Sequence, residues 1–414
     1  MRFLRIAPTG RLLALIAGVV VAIAAGTAIA VAATSGGPVP PPKPLASAVH
    51  KALTAQPPTG ITADVTFTNS LISADSLPGE TADPLLQGTQ HGRVWLSNDG
   101  RLRLELQGDN GDANLVVNNN SFWVSDPVQH TVYEGTLPAD KSAHSSKAKA
   151  SQHHIPTVAD IQSELTRLMK QADVAGAGTS SPGDVAGRPA YSVSVSPKHS
   201  GGLLGQAQLA WDAANGVPLR FAIYARGNPS PVLALTATNI SYGTVADSDL
   251  NITPPAGDKV VKVSTAGASG AQAGAAKAAK TKHAEVKGVA AVSSHVPFTL
   301  VAPKAVVGLK RQDVTLLDWG GKPAALLTYG QGLGGVAVVE QSEPAGAAAS
   351  SGSSSSPGGL KLPSVSINGA TGTELGTPLG TVIQFHRGGV SYTVLGSVAP
   401  YAAESAARAL TPSP

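Results

Sequence analysis

The feature that most constrains this chain is a long run of period-two alternation between Ala190 and Tyr224. Ala190-Tyr-Ser-Val-Ser-Val-Ser-Pro-Lys198 alternates apolar and polar residues, and Gln206-Ala-Gln-Leu-Ala-Trp-Asp212 leads through Asn215-Gly216 into Val217-Pro-Leu-Arg-Phe-Ala-Ile-Tyr224. Side chains on a strand point to opposite faces in turn, so such a pattern predicts antiparallel strands with one face buried and one face wet. Asn215-Gly216 predicts a tight hairpin with positive φ at both positions.

The same grammar recurs before and after. Ile61–Thr68 places Ile61, Ala63, Val65 and Phe67 on one face, and Arg101–Gln107 does so with Leu102, Leu104 and Leu106 behind an Asn98-Asp-Gly100 turn. Asn114–Val117, Ser121–Asp126 and Thr131–Leu137 extend a meander, and Val232–Tyr242 is a last strand before Pro254-Pro255. Two helices are expected among these strands. One carries Leu45, Val49, Ala52 and Leu53 on a single side; the other is capped by Thr157 with Asp160 and lines up Ile161, Leu165, Leu168, Met169 and Ala172.

With 414 residues the chain has room for two domains and linkers. We place a signal peptide or N-terminal membrane anchor at 1–33, a proline-rich spacer at 34–44 and a first domain at 45–262. An Ala/Gly/Lys linker at 263–295 follows, partly helical around 274–280, and then a smaller α+β domain at 296–411. Strands of that second domain are expected at Phe298–Val301, Val314–Asp318, Ala324–Tyr329, Gly335–Glu340, Thr381–His386 and Ser391–Leu395, with a final helix at Tyr401–Leu410. A Ser/Gly insertion at 344–359 is expected to be disordered.

Arg2, Arg5 and Arg11 precede an apolar run from Leu12 to Ala33, with small-residue cleavage motifs at Ala28-Ile-Ala30 and Val31-Ala-Ala33. That run is also long enough to span a bilayer, so residues 12–33 are either cleaved or hold the chain at a membrane surface. In both cases the remainder is exported, to the outer face of the cytoplasmic membrane or beyond it. Those three arginines supply most of the net charge of +4, which argues against nucleic acid as a partner. There is no cysteine, so an exported fold here is held by its core and not by disulfides.

No motif carries catalysis. Gly330-Gln-Gly-Leu-Gly-Gly335 has the spacing of a dinucleotide fingerprint, but Val336-Ala-Val-Val-Glu340 after it is a strand and not a helix, so a glycine-rich hairpin is expected. Ser146-Lys-Ala-Lys149 and the histidines 144, 153 and 154 lie in a repetitive Ser/Lys/Ala loop at 138–156, where neither a serine–lysine nucleophile nor a metal site is expected. No catalytic residue, metal or cofactor is therefore assigned.

The valine-rich strand ending in Pro197-Lys198, followed by Trp211-Asp212, a turn and Pro218-Leu-Arg220, resembles the LolA/RseB group of extracytoplasmic proteins. Leu326-Leu-Thr-Tyr-Gly-Gln-Gly-Leu-Gly-Gly-Val-Ala-Val-Val-Glu340 and Val390-Ser-Tyr-Thr-Val-Leu-Gly-Ser-Val-Ala-Pro400 resemble the second domain of RseB/MucB proteins. The fold so implied is α+β: a LolA-like curved antiparallel half-barrel with helices in its hollow, plus a smaller C-terminal α+β domain. The function implied is non-enzymatic binding of lipid or lipoprotein acyl chains, in an RseB-like envelope sensor that regulates a membrane anti-sigma factor. The alternative is a LolA-like carrier of lipoproteins or glycolipids with no regulatory partner. The residues that would line the hollow are Val65, Phe67, Leu102, Leu104, Leu106, Val193, Val195, Leu209, Trp211 and Phe221, each of which an ordinary core would also use. Trp211 in particular fits a core role between sheet and helix.

Overall fold

A computed structural model describes residues 37–72, 88–118, 120–137, 156–170, 172–176, 181–198, 202–263, 286–319, 322–343 and 362–410. The N-terminal apolar run, the 138–155 loop with its histidines and Ser146-Lys-Ala-Lys149, most of the 263–295 linker and the 344–359 insertion lie outside the described residues.

Helix α1 (Leu45–Thr54) precedes β1 (Gly60–Asn69), β2 (Gly88–Ser97), β3 (Leu102–Leu106), β4 (Ala113–Asn118), β5 (Ser121–Asp126) and β6 (Thr131–Thr136). After α2 (Val158–Leu168) come β7 (Ala172–Ala175), β8 (Ser181–Val185), β9 (Arg188–Pro197), β10 (Leu204–Asp212), β11 (Pro218–Ala225) and β12 (Pro231–Tyr242), then a short α3 (Asp247–Leu250) and β13 (Lys259–Val263). These strands form one curled antiparallel half-barrel in the order β13-β6-β5-β4-β3-β2-β1-β12-β11-β10-β9-β7, with β8 on β9 and only β13 running parallel to its neighbour.

Helix α2 starts as its sequence dictates. The Thr157 hydroxyl accepts from the Asp160 N–H (3.2 Å) and the Asp160 carboxylate accepts from the Thr157 N–H (2.9 Å), a reciprocal capping box. The helix stops at Leu168, and Ala172, expected on its apolar side, belongs to β7 instead. In α1 the buried side is Leu45, Ala46 and Ala48 with Val49 and Ala52 beside them, while Leu53 is exposed.

Three further expectations change. Strand β9 is buried on both faces: Tyr191 and Val193 pack under the helices, and Ala190 packs with Val185, Ala210 and Leu219 behind. The β10–β11 turn has positive φ only at Gly216, because it is a longer loop closed by Gly216 N–H to the Asp212 carbonyl and by Asn215 Oδ1 accepting from Val217. Residues 37–44 run against the sheet, with Pro40 buried and the Pro41 carbonyl accepting from the Tyr191 hydroxyl (2.7 Å).

The second sheet is antiparallel, in the order β14 (Ala305–Val306), β15 (Leu309–Trp319), β16 (Lys322–Tyr329), β17 (Val336–Ser342), β21 (Val390–Gly396), β20 (Gly380–Arg387), β19 (Ala370–Thr377), β18 (Ser364–Ile367). A single 3-10 turn at Gly332–Gly334 joins β16 to β17, so the glycine run is a hairpin connection. Helix α4 (Val289–Ser293), in residues assigned to the linker, and α5 (Pro400–Arg408) cover one face, burying Val292, Ala403, Ala406, Ala407 and Leu410; the helical stretch expected at 274–280 lies outside the described residues. Phe298–Val301 forms no strand, because the Val301 N–H is bonded to the Glu340 carboxylate (2.9 Å) and not to a neighbouring strand.

Candidate functional site

Register brings the proposed lining residues onto one inner face. Phe67 stands opposite Leu235, Leu235 opposite Phe221, Phe221 opposite Leu209, and Leu209 opposite Val193, one continuous row across five strands. On the other side of β1, Val65 stands opposite Gly92 and Gly92 opposite Leu106. Glycine is required there: a Cβ at Gly92 would collide with the Glu105 carbonyl and sit 2.9 Å from Leu106 Cδ2.

This inner face is divided in two. Val193, Leu209 and Trp211 pack beneath α1 and α2 with Leu45, Ala48 and Leu165, where Trp211 lies 6.3 Å from the Tyr191 ring. Phe67, Leu104 and Leu106 join a second cluster drawn from β1, β3 to β5, β11 and β12 together with Leu375 of the second sheet, with Val94 and Leu96 of β2 packed against it and no residue of α1 or α2 in it. Val195, half-buried and opposite Val174 at the sheet edge, belongs to neither cluster.

Where the two parts meet there is a cavity of about 80 Å³. Val65, Leu102 and Phe221 line it with Ile61, Leu96 and Ile240, and Arg220 is the one charged residue among the described residues around it. Arg220 alternates with Phe221 along β11, and its guanidinium donates to the Tyr224 hydroxyl (3.0 Å). The site offers a ligand apolar contact and little else, which suits hydrocarbon and not a polar metabolite.

No protein-family model matches the chain, and no curated protein matches it. Among solved structures, the Pseudomonas aeruginosa MucA/MucB complex is 15% identical, covering 87% of this chain and 96% of that chain at a TM-score of 0.36. A LolA superfamily protein from Nitrosomonas europaea is 7% identical over 50% of this chain and 96% of that chain, with a TM-score of 0.19. A lipoprotein-sorting protein domain from Vibrio parahaemolyticus is 10% identical over 50% of this chain and 94% of that chain, with a TM-score of 0.21. All three likenesses are distant.

Two buried polar groups support this frame, and neither was legible as a pair in the sequence. The Asp212 carboxylate, fully buried, accepts from Arg188 Nε (2.8 Å), the Tyr242 hydroxyl (2.8 Å) and the Ala214 N–H (2.7 Å). Arg188 also stacks 4.9 Å from the centre of the Tyr242 ring, and burial, then the bond to Asp212, pushes that phenol's pKa up. These contacts fasten the start of β9 and the end of β12 to the end of β10. In the second sheet Glu340 is fully buried, and burial pushes its carboxyl up to about 8. Its Oε1 and the Tyr329 hydroxyl find no hydrogen-bond partner among the described residues. Among those residues no group of three His, Cys, Asp or Glu is placed to hold a metal ion.

Proposed function

We infer that this is an exported, non-enzymatic protein that takes an acyl chain of a lipid or lipoprotein into the hollow of its first sheet. It acts as an RseB-like envelope sensor, reporting that occupancy to a membrane anti-sigma factor. The observation that carries the reading is the cavity: apolar on nearly every side, bordered by Val65, Leu102 and Phe221, and continuous with an apolar cluster beyond it. Each methylene buried there would contribute roughly 0.8 kcal/mol. If residues 12–33 are retained, they hold the hollow at the outer face of the membrane that supplies the ligand.

A carrier of lipoproteins or glycolipids without a regulatory partner is the second reading. It is favoured by one fact: every described residue lining the cavity belongs to the first sheet or its turns, so transport alone would need none of the described residues of the second. Stoichiometric recovery of a membrane anti-sigma factor with the full chain separates the two.

The test of acyl binding is native mass spectrometry of the full chain taken gently from bacterial membranes. A discrete bound mass in the lipid range is expected for the natural chain, and its loss for Phe221→Glu with the circular dichroism spectrum unchanged. Persistence of that mass in the variant would remove Phe221 and its cavity from the site.

A further inference from the structure

The cavity lies at one end of the hollow, and the other end is filled by leucines of the second sheet. Leu375 is 9% exposed and belongs to the same cluster as Phe67, Leu106 and Leu233, with Leu362 and Leu379 packed against it. Leu379 sits at the tip of the β19–β20 hairpin in a fixed turn. The Thr377 hydroxyl donates to the Gly380 carbonyl (2.8 Å) and accepts from the N–H groups of Leu379 (3.2 Å) and Gly380 (3.1 Å).

Ser397, just after β21, fastens that tip to the half-barrel. Its hydroxyl donates to the Leu379 carbonyl (2.7 Å) and accepts from the Leu203 N–H (2.9 Å). At Gly202, with φ +60°, a Cβ would collide with the Ser397 carbonyl, so the two backbones meet at a distance only glycine permits. The Leu203 carbonyl accepts from the Arg226 N–H, which sets the joint where β10 begins and β11 ends. Leu233 stands opposite Asn69, so β12 begins and β1 ends on that same side. Ile61 and Ile240, which line the cavity, are at the opposite ends of β1 and β12.

Volume makes this arrangement consequential. About 80 Å³ is well short of the roughly 150 Å³ that accommodates benzene in an engineered apolar cavity. A chain of many methylenes therefore needs space that side chains now fill. The geometry points to a built-in competitor: the Leu375/Leu379 hairpin occupies the stretch of hollow that an acyl chain requires, so chain entry and docking of the second sheet exclude one another. This rests on the acyl-binding reading above and supplies its regulation, because a ligand that displaces the hairpin changes how the second sheet is held. Apparent affinity is the intrinsic affinity reduced by the undocked fraction, so loosening the hairpin tightens binding.

The experiment titrates dansyl-undecanoic acid, a fluorescent fatty acid, into the exported full chain, the Ser397→Ala variant and the Leu375→Ser/Leu379→Ser variant. Ser397→Ala removes the hydroxyl's bonds to the Leu379 carbonyl and the Leu203 N–H, leaves the Leu203 N–H on the Ser397 carbonyl (3.2 Å), changes nothing that lines the cavity, and is expected to tighten probe binding roughly threefold. The double variant is expected to tighten it by about tenfold. If the natural chain binds the probe and neither variant binds it more tightly, the competitor is overturned while acyl binding stands. If none of the three binds it, the acyl-binding reading falls and the competitor with it. Should the double variant fail to fold, Ser397→Ala decides alone.

Discussion

Glu340 makes stability depend on pH in an unusual direction, and Glu340→Gln should remove that dependence. The carboxyl is fully buried in the second core, takes one hydrogen bond, from the Val301 N–H, and is pushed up from an ordinary 4.5 to about 8. Among the described residues no charged side chain offsets that burial; the carboxylate's own charge, where it forms, acts on the Tyr329 and Tyr392 hydroxyls and raises both, while Arg311 and Arg387 act on those tyrosines in the opposite sense. Because the folded state holds the proton more tightly than the unfolded chain, this stabilisation is complete below about pH 4.5 and is lost as pH rises through 8. The whole titration has a ceiling of roughly 5 kcal/mol, of which about 3 kcal/mol is already gone at pH 7. Structural relaxation and water entry lower both figures. Urea unfolding from pH 5 to 9 should show the natural chain losing at least about 1 kcal/mol relative to Glu340→Gln as pH rises. The difference should narrow or reverse near pH 5, where the glutamine amide brings its own buried donors. Subtracting the two profiles cancels every other titrating group. Parallel profiles would refute a neutral, buried Glu340.

Two further variants test how the first sheet is held. Asp212→Ala leaves Arg188, Tyr242 and the Ala214 N–H without their shared acceptor, and should cost about 3 kcal/mol in urea unfolding at pH 7; a loss under about 1 kcal/mol would mean that water replaces the carboxylate easily. Thr157→Ala removes one arm of the capping box and should cost about 1 kcal/mol, read as faster amide exchange in the first turn of α2 with β1 and β12 unchanged.

Strand faces were legible wherever large apolar residues alternate, as at Ala63, Val65 and Phe67 of β1 or Leu102, Leu104 and Leu106 of β3. Strand β2 escaped notice because two of its inward positions are Gln90 and Gly92, and Gly92 is small so that Leu106 can lie against it. β19 escaped for the same reason. A Cβ at Gly372 would sit 2.9 Å from Phe385 Cβ, so bulk on one strand is matched by its absence on the next. The division of the inner face was not legible, since nothing in Leu209 or Phe67 alone says that one lies under helices and the other beside leucines of a distant hairpin. Nor were the partners of Asp212, whose contacts with Arg188 and Tyr242 join residues 24 and 30 positions away.

The pairing of β1 with β12 governs the order in which the protein can be made. Phe67 meets Leu235 only after everything between them has been synthesised, and β1 is the strand that links the β2–β6 meander to β9–β12. Until Pro231–Tyr242 emerges, the meander can form by local hairpins, but its inner face has no opposite wall and the hollow does not exist. Contacts so far apart in sequence are slow to close and leave apolar surface exposed meanwhile. The nascent chain therefore spends its longest unfinished interval displaying the very leucines and valines that the mature protein encloses.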